Sequence, residues 1–189
     1  QGLMISRRDL SLTLEPETIP MICKEVTQEA NKHAKLVFIA SHLLSSMKLH
    51  PTPTRAEVSD IANAVIDGAD AVVMSEGISK GSHLNRALEV CSNTVRSIEK
   101  GDVKINWSKP PMAIQNEFEA VTYHAYKTAE RLNAKAIVCL TKGGNTALQV
   151  ASYRPPIPIV ALTFSSDTKR FLKMVRGVFP ILLEEVPKL

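Results

Sequence analysis

The 189-residue chain predicts an α/β protein, with parallel sheets and helices packed on them. Two observations carry that prediction. Short apolar runs with β-branched content alternate with segments of helical periodicity, the pattern that makes parallel sheets. The composition, 44% hydrophobic and 22% charged, is that of an ordinary globular protein and excludes disordered and fibrous classes. A break rich in proline, with Trp107 and the pair Pro110-Pro111, spans Asp102 to Met112 and divides the alternation in two. Two α/β units follow from it, residues 1–104 and 105–189.

In the first unit, Leu3–Ser6, Lys35–Ser41 and Ala69–Ser75 read as strands. Between the first two, Ile19, Ile22, Val26 and Ala30 recur at spacings of three and four and predict one buried helix face. Thr54-Arg55-Ala56-Glu57 is a capping-box signature, in which hydroxyl and carboxylate satisfy the first-turn amides. That helix runs through Ile61, Ala64 and Val65 to Gly68, a left-handed cap. A third helix, from about His83 to Glu99, buries Leu84, Ala87, Val90 and Val95. In the second unit a helix is expected from about Ala113 to Leu132 and a strand from Ala134 to Thr141. A Gly-Gly turn, a helix to about Tyr153 and the strand Pro158–Thr163 come next. A helix to about Arg176 and the strand Val178–Leu183 close the pattern. Three parallel strands in each unit leave edges and an apolar face to be covered by something else.

Several functions are excluded early. No apolar run approaches the roughly 18 residues of a membrane span. Aromatics at 5% are too few for a single-strand stacking platform, and no nucleic-acid motif is present. The net charge of +4 is scattered rather than striped. Cys23, Cys91 and Cys139 lack metal or redox spacing and fit a reducing compartment. The histidines have neither metal-ligand spacing nor a nucleophile partner. The chain opens with Gln1 and no signal-like segment, so its start is expected to be cut.

The stretch Pro53-Thr54-Arg55-Ala56-Glu57-Val58-Ser59-Asp60-Ile61-Ala62-Asn63-Ala64-Val65-Ile66-Asp67-Gly68 resembles the pyruvate kinase family. The likeness extends upstream through Leu3–Leu10 and Val37–His42, and downstream through Ala134–Pro158 with Tyr153-Arg154-Pro155. It implies strands six to eight of a (β/α)8 TIM barrel, then most of a three-layer α/β carboxy-terminal domain. The family transfers a phosphoryl group between phosphoenolpyruvate and ADP with Mg²⁺ and usually K⁺, chemistry made of positioning and charge neutralisation. By that resemblance Asp9 stands where a metal-binding aspartate belongs. The family's metal-binding glutamate, its catalytic lysine and its K⁺ ligands lie on earlier strands and are expected to have no counterpart here.

The motifs also depart from the family. Arg7-Arg8-Asp9 replaces arginine–glycine–aspartate, so a long cation stands where backbone amides meet the substrate carboxylate. Ser41 replaces a threonine that orients substrate and relays a proton. Ser75-Glu76-Gly77 replaces serine–glycine–glutamate; Ser75 is expected in a water network and Glu76 as a loop charge. For each residue the alternative is structural: Arg8 as a surface cation, Asp9 as a helix-entry carboxylate, Ser41 as a cap.

A second candidate is the polar turn Thr141-Lys142-Gly143-Gly144-Asn145-Thr146, where amides and hydroxyls at a helix start suit a phosphate. In the family the equivalent turn holds a sugar-phosphate effector. The alternative is a plain left-handed turn and cap. Gly143 stands where a serine is usual. The resulting expectation is a degenerate pyruvate-kinase-like chain, inactive alone, in the cytoplasm or plastid stroma. The alternative is a non-catalytic structural or regulatory subunit of a larger, oligomeric assembly. A protein partner or an amino-terminal part is expected to cover the open barrel.

Overall fold

The computed structural model describes residues 2–40, 43–74, 76–100, 114 and 116–184. Among them the chain forms two compact units: residues 2–30 with 36–100, and residues 31–35 with those from 116 onward. The division expected near residue 105 falls outside the described residues.

The first unit holds a three-stranded parallel sheet, β1 (Gly2–Ser6), β2 (Leu36–Ala40) and β3 (Ala71–Val73), in that spatial order. Its helices are α1 (Arg7–Leu10), α2 (Ile19–Lys32), α3 (Arg55–Asp67), α4 (Glu76–Ser79) and α5 (Leu84–Lys100). A 3₁₀ turn, Ser45–Lys48, follows β2. In parallel register Leu3 lies beside Val37, Ile5 beside Ile39, and Ile39 beside Val72. That row packs with Ala30 of α2 and Ala64 of α3 into one core. A second core joins Leu43, Leu44 and Met47 to Ile61 of α3, Ile78 of α4, and Ala87 and Cys91 of α5. The opposite sheet face is less covered: Met4 is 60% exposed and Val73 38%. A parallel sheet ordinarily hides both faces; on this one Leu36 and Ala40 are buried, while Met4 and Val73 are not.

α3 matches its prediction in full. Thr54 accepts from the Glu57 amide, the Glu57 side chain accepts from the Thr54 amide, and Gly68 closes the helix at φ 99°. The Ala69 amide then donates back to Ala64, a use that shortens the strand expected from Ala69 to Ala71–Val73. The Asp70 carboxylate accepts from the Val37 amide at 2.9 Å and ties β3's entry to β2.

Other expectations need correction. On α2, Val26 is 37% exposed and Thr27 takes the buried place expected of it. The Thr27 hydroxyl donates to the Cys23 carbonyl at 2.7 Å, so the helix satisfies the polar group that it buries. Glu76 opens α4 rather than lying in a loop.

The second unit repeats the plan with α6 (Glu117–Arg131), β4 (Ile137–Leu140), α7 (Asn145–Ser152), β5 (Ile159–Thr163), α8 (Ser166–Leu172) and β6 (Val178–Leu182). Its strands are parallel in the order β4-β5-β6. α6 starts later than expected because Asn116 caps it, accepting from the Glu119 amide at 2.9 Å. α8 stops at Leu172, short of the expected Arg176. Tight bonds from Met174 to Phe171 and from Val175 to Leu172 wind it down, and Gly177 at φ 74° turns the chain into β6. Ile137, Ile159, Ala161 and Val178 are buried on one sheet face. The row across the other, Val138, Val160 and Phe179, ends in side chains 62% and 60% exposed at Val138 and Phe179.

Candidate functional site

Parallel strands send all their carboxyl ends to one edge, so β1, β2 and β3 deliver their following loops together. β1 passes into α1 without a loop. Ser6 caps that turn, its hydroxyl oxygen accepting from the Asp9 amide at 3.4 Å. The Ser11 hydroxyl donates to the Arg8 carbonyl at 2.7 Å and closes the other end. Arg8 and Asp9 are thereby held on a short helical turn at the sheet edge, both exposed. Arg7 turns instead to Asp60 of α3, at 2.9 Å.

Arg8, expected from the resemblance to stand where the family has glycine, therefore causes no backbone strain. Among the described residues the left-handed non-glycine positions are Ala34, Leu44, Asn133 and Arg154, and Arg8 sits in a helix. What changes is the surface: a guanidinium beside a carboxylate. Ser41 and Ser75 lie outside the described residues, one position beyond Ala40 of β2 and two beyond Val73 of β3.

For a divalent ion, Asp9 offers one exposed carboxylate. Among the described residues no three His, Cys, Asp or Glu side chains converge as a metal-holding group. One carboxylate fits Mg²⁺, which keeps several waters and commonly takes one or two protein carboxylates plus phosphate oxygens. The thiols are poor nucleophiles, since burial pushes Cys23, Cys91 and Cys139 above the usual range.

Two features escaped the sequence reading. The Glu57 carboxylate, besides capping α3, accepts from the Ser46 amide at 2.7 Å and the Ser46 hydroxyl at 2.5 Å. Burial pushes the Glu57 carboxyl up, but the bonds from Ser46 and Thr54 outweigh it and hold it below the usual range. The capping box announced Glu57; nothing in the spacing announced Ser46, eleven residues upstream. The second feature is Thr168, whose hydroxyl donates to the Lys142 carbonyl at 2.9 Å and braces the other candidate turn.

That turn, from Thr141 to Thr146, divides into an inner and an outer half. Thr141 is buried, and its hydroxyl oxygen accepts from the Gly144 amide at 2.9 Å, so that amide is used within the turn. Gly144, at φ 92°, is the left-handed cap of α7, and a Cβ there would meet Leu172 at 3.3 Å. Lys142, Gly143 and Asn145 face outward and Thr146 is half-buried. The first-turn amides of α7 have no partner within the helix by construction.

A three-stranded parallel sheet with charged residues at its carboxyl edge, followed by a second α/β unit with a polar glycine turn, has the layout of a barrel segment with an appended α/β domain. Family models agree: one described as pyruvate kinase, barrel domain, matches residues 1–88, and one described as pyruvate kinase, alpha/beta domain, matches residues 119–188. The chain is 37% identical over 185 residues to a pyruvate kinase of Staphylococcus saprophyticus, covering 97% of this chain and 32% of the relative. It is 39% identical over 186 residues to pyruvate kinase 2 of Synechocystis, covering 98% and 31%. A crystal structure of a pyruvate kinase from Cryptosporidium parvum superposes with a TM-score of 0.85 at 34% identity, covering 96% of this chain and 38% of that one. The chain belongs to the pyruvate kinase family. It spans about a third of the length of these curated relatives.

Proposed function

We propose that this chain supplies the Asp9 side of a pyruvate-kinase-type site, in which a phosphoryl group passes between phosphoenolpyruvate and ADP, and that it turns over nothing alone. The observation that carries this is the placing of Asp9, exposed on a capped turn at the carboxyl end of β1, in a chain of this family. Bound Mg²⁺ would neutralise phosphoryl charge there, and K⁺ would assist. Asp9 gives one ligand oxygen to the divalent ion, and Arg8 offers a guanidinium to the substrate carboxylate or phosphate. Ser41 orients substrate and holds a proton at its hydroxyl oxygen; Ser75 serves the water around it. By the resemblance, the lysine and glutamate on which the family's reaction depends belong to a strand earlier than β1. Residues 1–104 act as the barrel part and 105–189 as the effector part, in a reducing compartment, cytoplasm or plastid stroma. No helix among the described residues is long and apolar enough to cross a membrane.

A coupled assay of pyruvate formation from phosphoenolpyruvate, ADP, Mg²⁺ and K⁺ tests this. The 189-residue chain is expected to stay at background. Turnover above background would show that the lysine is dispensable and sink the proposal.

A second reading, a non-catalytic structural or regulatory subunit, is favoured by Arg8. It is an exposed cation at the position where the resemblance expects a glycine whose amide meets substrate. Under this reading the outward half of the Thr141–Thr146 turn is the working site, with Lys142, Asn145 and Thr146 receiving a phosphate. A sugar phosphate is then expected to raise the melting temperature by a few degrees, a shift lost in Thr146→Ala. An unmoved melting temperature in the unsubstituted chain would rule the turn out.

A further inference from the structure

Glu57 and Asp60 stand three residues apart on the first two turns of α3, hence on one face. Each reaches the segment that follows a different strand. Asp60 meets Arg7, the first residue after β1, at 2.9 Å. Glu57 meets Ser46, in the 3₁₀ turn after β2, through both the amide and the hydroxyl. We propose that Glu57 and Asp60 are positioning residues: the start of α3 clasps the segments after β2 and β1 and fixes the carboxyl edge of the first sheet.

A helix cap alone does not require this arrangement. Glu57 Oε2 already serves the Thr54 amide and hydroxyl at 2.9 Å, which completes the capping box. Oε1 accepts from the Ser46 amide, outside the helix, and Oε2 also takes the Ser46 hydroxyl. The clasped segment is one that needs holding. Leu44 stands at φ 55°, a left-handed conformation that a side-chain-bearing residue keeps only where its surroundings over-determine it. Leu43, Leu44 and Met47 anchor that turn on its apolar side, all fully buried, and Glu57 anchors it on its polar side. The clasp extends to the third strand, because the Ser82 amide, beyond β3, donates to the Lys48 carbonyl at 3.3 Å. The consequence for ligands rests on the proposed role of that edge; the clasp itself does not.

Hydrogen exchange on the full chain without ligand tests the clasp. In Glu57→Gln, the amides of residues 43–49 are expected to exchange roughly tenfold faster, the loss of about one charged hydrogen bond. Amides of residues 137–163 stay unchanged. Asp60→Asn is expected to quicken residues 7–13 and leave 43–49 alone. Should Glu57→Gln fail to fold, Ser46→Ala removes one of the two bonds and gives a smaller rise, which Ser46→Thr restores to the original rate. Unchanged exchange at 43–49, or an equal rise across the whole first unit, overturns the clasp. The positioning role is read by phosphoenolpyruvate binding with Mn²⁺, under conditions where the variant is fully folded: Glu57→Gln is expected to weaken it several-fold, and equal affinity overturns that role. If the unsubstituted chain binds nothing, the proposed function fails while exchange still decides the clasp.

Discussion

Met47→Ala is expected to cost the first unit about 3 kcal/mol, within the range of about 2–5 for deleting a buried Met side chain. Met47 is fully buried among Leu43, Leu44, Ile61, Ile78 and Cys91, drawn from the segment after β2 and from three helices. Met adapts its shape more readily than Leu, which keeps the cost below the top of the range. At a urea dependence of about 1.5 kcal/mol per molar, the unfolding midpoint falls by about 2 M. Unfolding is best followed by exchange or proteolysis of first-unit peptides, since two units need not unfold together. A midpoint shift under about 0.5 M would show that the 43–48 segment is not part of the core. The same experiment reads a functional quantity, because Met47 is one residue from Ser46 and shares its turn.

How much of this was legible beforehand depends on whether the deciding interaction is local. The α3 boundaries were legible, because a Thr, a Glu three residues on and a Gly at the end each act within one helical turn. That both sheets are parallel was legible from the alternation of strands and helices. Val26 was misjudged because helical periodicity ranks side chains by polarity, while Thr27 pays for its own burial with a bond to Cys23. The 43–48 turn was missed because its conformation is set from outside. Its sequence, Leu-Leu-Ser-Ser-Met-Lys, carries no turn signal, and Leu44 is a poor intrinsic choice for a left-handed backbone. At the site, the position of Asp9 at a strand end and its alternative as a helix-entry carboxylate could be read, whereas the Ser6 cap that holds the turn could not.

The carboxyl edge gains from this a specific architecture. α1 is stitched to α3 by Arg7 and Asp60, and the turn after β2 is stitched to α3 by Glu57. Arg8 and Asp9 are left pointing outward on a turn whose backbone bonds are met. A residue change at Arg8 alters charge at the edge without moving the frame, whereas a change at Glu57 moves the frame and leaves the charge at Asp9 in place.

Gly81→Ala is expected to destabilise the first unit by about 1–3 kcal/mol, the cost of overpacking a close contact. Two effects oppose each other at this position. Gly81 is not among the left-handed glycines, so alanine is conformationally permitted, and stiffening the unfolded chain would stabilise by about 0.4–1 kcal/mol. Against that, an added Cβ would stand 2.9 Å from Lys48 Cα and 3.0 Å from the Lys48 carbonyl oxygen, with the Ile78 carbonyl oxygen at 3.3 Å. These are backbone atoms, which cannot rotate aside as a side-chain tip would. The steric term wins, and relief requires Lys48 to retreat, which breaks its bond from the Ser82 amide. Gly143→Ala is the control: it too avoids the left-handed region, and its Cβ would meet nothing within 4 Å. There only the unfolded-state term acts, so stability is expected to hold or rise by up to about 1 kcal/mol. Urea unfolding of both variants decides the matter: a Gly81→Ala chain as stable as Gly143→Ala would mean that the segments after β2 and β3 do not meet as closely as this packing requires.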